Sequence, residues 1–88
     1  MTISDTLNAT ADLLEREGWI QGRIRSNKGF CLVGALNQVA AQNYHLTRKL
    51  IQEKTRIESL SYWNDDPRRT KEEVISKLRE WADEAARS

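Results

Sequence analysis

Eighty-eight residues suffice for one domain, since a second hydrophobic core needs about another 50 residues, so a single compact domain over 1–88 is expected. The formal net charge is only +1, well short of the basic character of typical nucleic-acid modules, and folding at this size buries about 64% of the unfolded surface. That core is thin and leaves a homo-oligomer open.

The longest uncharged, mostly apolar run, Gly29 to Leu36, is far short of the roughly 20 residues of a membrane helix. No basic segment leads into an apolar stretch after Met1, so no secretory signal is expected. Cys31 and His45 each stand alone; they supply neither a disulfide nor a zinc ligand set. The expectation is a cytoplasmic protein with no membrane segment, no metal and no cofactor.

In chain order, Ile3, Leu7, Ala11 and Leu14 recur at helical spacing and predict a helix from Ser4 to Glu17, capped by Ser4 or Asp5 and ended by Gly18. Trp19 to Arg25 alternates instead. Ile20, Gly22 and Ile24 fall on one side and Trp19, Gln21, Arg23 and Arg25 on the other, which predicts a strand. The turn tetrad Ser26-Asn27-Lys28-Gly29, followed by Phe30 and Cys31, closes a hairpin with Gly22 as a bulge. Leu32, Ala35, Leu36, Val39 and Ala40 form a full apolar stripe and predict a central helix from Cys31 to Gln42. Gly34 inside it marks a close backbone approach.

Leu46, Leu50, Ile57 and Leu60 predict a third helix over 46–60, although Glu53 and Lys54 occupy the middle of its apolar stripe. Ser61 to Pro67 reads as an ordered loop, because Asp66-Pro67 disfavours helix and its polar residues favour turns. Thr70 and Glu73 have capping-box spacing and open a last helix from Lys71 to Ala86, with Val74, Leu78, Trp81 and Ala82 on its buried face. The fold class is mainly α with some β: about four helices, with a small β-hairpin between the first two.

Four motifs now stand in order: Gly18-Trp19-Ile20-Gln21-Gly22, Cys31-Leu32-Val33-Gly34-Ala35-Leu36, Trp63-Asn64-Asp65, and Arg69-Thr70 to Glu73-Val74. With that order and spacing the chain resembles a small domain family of unknown function found in actinobacteria and their phages. The resemblance implies a source, the stand-alone phage versions in particular, and implies no activity.

Charge is segregated along the chain: residues 1–20 carry −3, residues 21–56 carry +6 and residues 57–88 carry −2. Arg23 and Arg25 share a hairpin face, and Arg48, Lys49 and Arg56 fall on neighbouring stripes of the third helix, with Lys28 and Lys54 completing the basic set. They either join in one anion-facing patch or form solvated faces paired locally with acids of the first helix. An exposed Trp19 with Gln21, beside Arg23 and Arg25, would be an interaction spot; a buried Trp19 would belong to the core.

The chemical candidates are few. Cys31 at a helix start has the position of an activated thiol, with His45 as the one available base. A helix reaching Gln42 separates them by about 16 Å, and a buried structural Cys is common. Asp65 and Asp66 beside Asn64 have the composition of an acid/base pair, yet Asn-Asp before Pro more often makes a turn. Trp63 reads as a core plug. No glycine spacing matches a phosphate loop. The reading is a non-enzymatic accessory protein that binds a host macromolecule, a protein ahead of a nucleic acid or nucleotide, with a thiol-dependent hydrolase last.

Overall fold

The computed structural model describes residues 1–40 and 42–87. Helix α1 spans Ile3–Glu17, and its cap is Thr2 rather than Ser4 or Asp5. The Thr2 hydroxyl accepts from the Asp5 N–H while the Asp5 carboxylate accepts from the Thr2 N–H, both at 3.1 Å, so two orphan donors are satisfied reciprocally. The Thr2 N–H accordingly holds the Asp5 carboxyl below its usual range. Ser4 is left to reach sideways, its hydroxyl donating to the Ala82 carbonyl at 2.8 Å.

The predicted strand from Trp19 to Arg25 does not form. Trp19 makes a single bridge to Phe30, supported by Ile20 N–H to Phe30 O (3.0 Å) and Phe30 N–H to Gly18 O (3.1 Å). The backbone then turns away at Gly22, whose φ of +81° is a conformation that glycine alone adopts readily. Gly22 is thus a turn residue and not a bulge. Regular pairing is confined to β1 (Arg25–Ser26) and β2 (Gly29–Phe30), antiparallel, with Arg25 opposite Phe30 and Ser26 opposite Gly29.

Helix α2 spans Leu32–Val39, one residue after the expected start, because Cys31 is its N-cap: the sulfur accepts from the Gly34 N–H at 3.4 Å. The helix ends at Ala40, whose backbone is extended; of the predicted remainder to Gln42, residue 41 lies outside the described residues. The Ile24 carbonyl accepts from the Cys31 N–H at 3.1 Å and lies against Gly34, where any Cβ would collide with it. The close approach expected at Gly34 is therefore that of the hairpin backbone.

Helix α3 spans Tyr44–Thr55 instead of 46–60. Glu53 and Lys54 interrupt its apolar stripe, and Arg56 ends it in the left-handed conformation at φ 60°. The reversal is fastened by the Gln52 amide donating to the Glu58 carbonyl (2.7 Å) and by the Ile57 N–H donating to the Thr55 hydroxyl (3.2 Å). Ser59 then caps a separate short helix α4, Leu60–Asn64, by accepting from the Tyr62 N–H at 3.2 Å. Half of the expected loop over 61–67 is therefore helix, and the described residues hold five helices.

Helix α5, Lys71–Arg87, runs antiparallel to α1. Arg79 reaches Asp12 at 2.7 Å, Glu15 at 3.4 Å and the Asn8 side chain at 3.3 Å. Thr70 caps α5 by accepting from the Glu73 N–H at 3.1 Å. Only half of the expected capping box forms, because the Glu73 carboxylate goes to Arg69 at 2.8 Å. The core joins Leu7 and Leu14 of α1, Leu32 and Leu36 of α2, Ile51 of α3, Leu60 of α4, and Val74 and Leu78 of α5.

Candidate functional site

The last residue of α4 organises the site. Asn64 is fully buried, a position that costs several kcal/mol unless its amide is satisfied. Its Oδ1 accepts from the Trp19 indole Nε1–H at 2.6 Å and from the Leu32 N–H at 3.0 Å. Its Nδ2 donates to the Ile20 carbonyl at 3.1 Å and to Asp65 Oδ1 at 3.0 Å. The amide thereby uses its whole hydrogen-bonding capacity. The Leu32 N–H is one of the orphan donors of the α2 N-terminus, so a side chain of α4 closes the start of α2.

The flanking residues extend the junction. Gln21 donates through Nε2 to the Asn64 carbonyl at 3.0 Å and to the Asp66 carbonyl at 2.8 Å. Asp65 Oδ1 accepts from the Gly22 N–H at 3.0 Å. Trp63 is 6% exposed; its ring lies 5.7 Å from that of Trp81, and the Arg69 guanidinium stacks on it at 4.0 Å. Arg69 also donates to the Trp63 carbonyl at 3.0 Å. Residues from all four sequence motifs thus meet in one place.

That arrangement alters several expectations. Trp19 is half-buried and packed against the core with its indole N–H committed to Asn64, while Gln21 is exposed and its amide is tied to α4 and the residues after it. Within the alternating segment, Trp19 and Gln21 bond through their side chains to Asn64 and Asp66, more than 40 residues away. Asn64 is a junction residue at a helix end and not a turn former.

The basic residues do not gather into one patch. Arg23 and Arg25 lie on the hairpin at the Gly18 end of α1, whereas α3 starts at the opposite end, where the Thr6 hydroxyl donates to Asn43 Oδ1 at 3.0 Å. About 18 Å of helix separates those two anchors. Arg48 is half-buried, Lys49 is exposed, and Lys54 pairs with Glu84 of α5 at 2.6 Å instead of with α1. The bond from Lys54 holds the Glu84 carboxyl below its usual range.

The catalytic candidates are likewise not brought together. Cys31 is buried at one end of α2, while the exposed His45 follows the other end and lies edge-on against Tyr44 at 5.4 Å. Asp65 is engaged by Gly22 and Asn64. Asp66 accepts from the Arg68 N–H at 2.9 Å; that bond, aided by the Arg68 and Arg69 charges, keeps its carboxyl below the usual range and ionised near neutrality. Among the described residues no group of three or more His, Cys, Asp or Glu side chains is placed to hold a metal, and no helix is long and apolar enough to cross a membrane.

Three hollows lie beside the junction and are linked by shared lining residues. A cleft of about 540 Å³ is lined by Tyr62, Asp65, Asp66, Pro67 and Arg68. Asp65 also borders a hollow of about 180 Å³ shared with Arg23, Ile24, Cys31 and Ser61, and Arg23 borders a third of about 340 Å³ that runs to Lys28. Tyr62 is 75% and Ile24 52% exposed. Sequence reasoning missed both: adjacent residues on a helix point in different directions, so Trp63 turns into the core while Tyr62 turns out. A further groove of about 610 Å³ between the start of α1, Leu50 and the end of α5 contains none of the motif residues.

Fold and site together define a small mainly helical domain, closed by a buried polar junction and carrying a basic loop on one side of it. The chain belongs to the family of unknown function DUF6197, whose model matches residues 1–84. No curated protein and no solved structure matches the chain.

Proposed function

We propose that this domain is a non-enzymatic binding protein, an accessory protein of an actinobacterial phage or of phage-like origin, acting in the host cytoplasm on a host protein. The observation that supports the reading is the division of labour at the junction. The polar groups of Trp19, Gln21, Asn64 and Asp65 are engaged within the fold, while the loop they hold in place exposes Arg23, Ile24 and Arg25. Exposed arginine beside apolar and aromatic side chains is the composition of protein-recognition hot spots. The resemblance of the four motifs to a family found in actinobacteria and their phages supports the proposed source.

A protein is favoured over a nucleic acid because the basic residues are divided between two ends of α1 and the flanking segments are net acidic. The test is affinity capture from an actinobacterial lysate with the tagged chain, followed by mass spectrometry and by direct binding of purified DNA and RNA. The expected result is one enriched protein whose association rate, more than its affinity, responds to salt. Tight nucleic-acid binding that falls steeply with salt through counterion release would contradict the reading.

A further inference from the structure

Resting on the reading of this domain as a protein-binding module, we propose that the 22–28 loop and the outer face of α4 together recognise an extended acidic peptide segment that carries one large apolar side chain.

The surface has two unlike halves. On the loop, Arg23, Arg25 and Lys28 are exposed, and among the described residues none of the three is in an ion pair. Arg25 is steadied by lying over the Phe30 ring at 5.2 Å. On α4 the exposed Tyr62 lines the 540 Å³ cleft together with Pro67, and Ile24 lines the smaller hollow with Arg23 and Ser61. Positive charge without a partner at one end and apolar area without cover at the other match a ligand with carboxylates at one point and an apolar anchor at another.

The same layout separates a peptide from a nucleic acid. A strand crossing the surface presents a phosphate at every nucleotide and would meet the Asp65 and Asp66 carboxylates that line the Tyr62 cleft. A peptide varies its side chains along its length. It can place carboxylates over Arg23 and Arg25 and an uncharged ring against Tyr62, where both aspartates are already engaged by Gly22, Asn64, Arg68 and Arg69. The loop is anchored at Gly22 by Asp65, at Ile24 by the Cys31 N–H and at Arg25 and Ser26 by pairing with β2, which reduces the ordering penalty of binding.

The test is an NMR titration of the isotope-labelled chain with a short peptide that carries glutamates at one end and one phenylalanine at the other, joined by uncharged residues, the same peptide with serine in place of phenylalanine, and single-stranded oligothymidylate. The phenylalanine peptide is expected to bind best and to shift amides within 22–28 and 61–68. The paired substitution Arg23→Glu with Arg25→Glu, and separately Tyr62→Ala, should each weaken it roughly tenfold or more. Lys49→Glu on α3 should leave it unchanged. All these positions are exposed, and the unshifted remainder of each spectrum verifies the fold. Absence of binding by the phenylalanine peptide, or binding insensitive to Arg23, Arg25 and Tyr62, overturns the proposal. Tighter, salt-steep binding of oligothymidylate overturns both this proposal and the protein-binding reading. Capture of the same lysate protein by wild type and by a variant lacking Arg23, Arg25 and Tyr62 overturns the assignment of this surface alone.

Discussion

Replacing Asn64 by alanine removes the centre of the junction with little change of helix propensity at the last turn of a short helix. Two donors lose their acceptor, the buried Leu32 N–H and the Trp19 indole N–H, and the Ile20 carbonyl loses a donor. A buried polar group left without a partner costs about 1–3 kcal/mol. Two such donors, with partial relief where water enters the space vacated by the amide, give a loss of about 3–5 kcal/mol. A domain of this size has about 4–13 kcal/mol in total, so the melting temperature should fall by about 15–30 °C. The assay is urea unfolding followed by tryptophan fluorescence and circular dichroism. Asn64→Asp adds a sign to the argument. It keeps an acceptor for Trp19 and Leu32 but sets a carboxylate against the Ile20 carbonyl and Asp65, so its folded-state pKa is raised above the unfolded value. The variant should be least stable above that raised pKa and recover as the pH falls through it, when the added proton restores a donor. An alanine variant within about 1 kcal/mol of wild type, or an aspartate variant without the acid-side recovery, would refute the junction as the source of this stability.

Trp63→Ala should cost about 3–5 kcal/mol, because the ring is packed between Arg69 and Trp81; an unchanged urea midpoint would contradict this. Cys31→Ser should stay close to wild type, since a hydroxyl is the better N-cap, whereas Cys31→Ala should lose about 1–2 kcal/mol, and the native thiol should resist alkylation until the protein unfolds. Thr47 is fully buried, and its hydroxyl has no hydrogen-bond partner among the described residues; Thr47→Val should therefore raise stability by about 1 kcal/mol, read from the same midpoints. Glu84 has its carboxyl depressed by Lys54, so its contribution is present above the ordinary carboxylate range and is lost as the pH falls through the depressed value. Lys54→Met should flatten that acid-side loss in midpoints measured against pH.

The long helices were legible because period carries over many residues: the spacing of Ile3, Leu7, Ala11 and Leu14 located α1, and that of Val74, Leu78, Trp81 and Ala82 located α5. Helix α4 has five residues, too few to establish a period, and Asp66-Pro67 just beyond it spoke for a loop. The break after α3 left a trace in the charged pair Glu53-Lys54, but the left-handed cap at Arg56 has no glycine to signal it. At the α1 start the eye falls on Ser4 and Asp5, although Thr2 with Asp5 has the spacing of a reciprocal cap. The junction was invisible for a different reason. Trp19 and Asn64 are 45 positions apart, and a side-chain bond between irregular segments has no periodicity. The motifs were legible as a set, while their convergence on one amide needed three dimensions.

Hydrogen exchange at two protons tests the central claim most directly: the Trp19 indole Nε1–H and the Leu32 amide, both bonded to Asn64 Oδ1, read by NMR in native buffer. If the Asn64 junction holds the irregular segment against α2 and α4, both exchange only through openings close in free energy to global unfolding, while the amides of the exposed Gly22 and Arg23 exchange far faster. Exchange of the Trp19 indole proton at the rate of an open loop, with the Leu32 amide still protected, would contradict it.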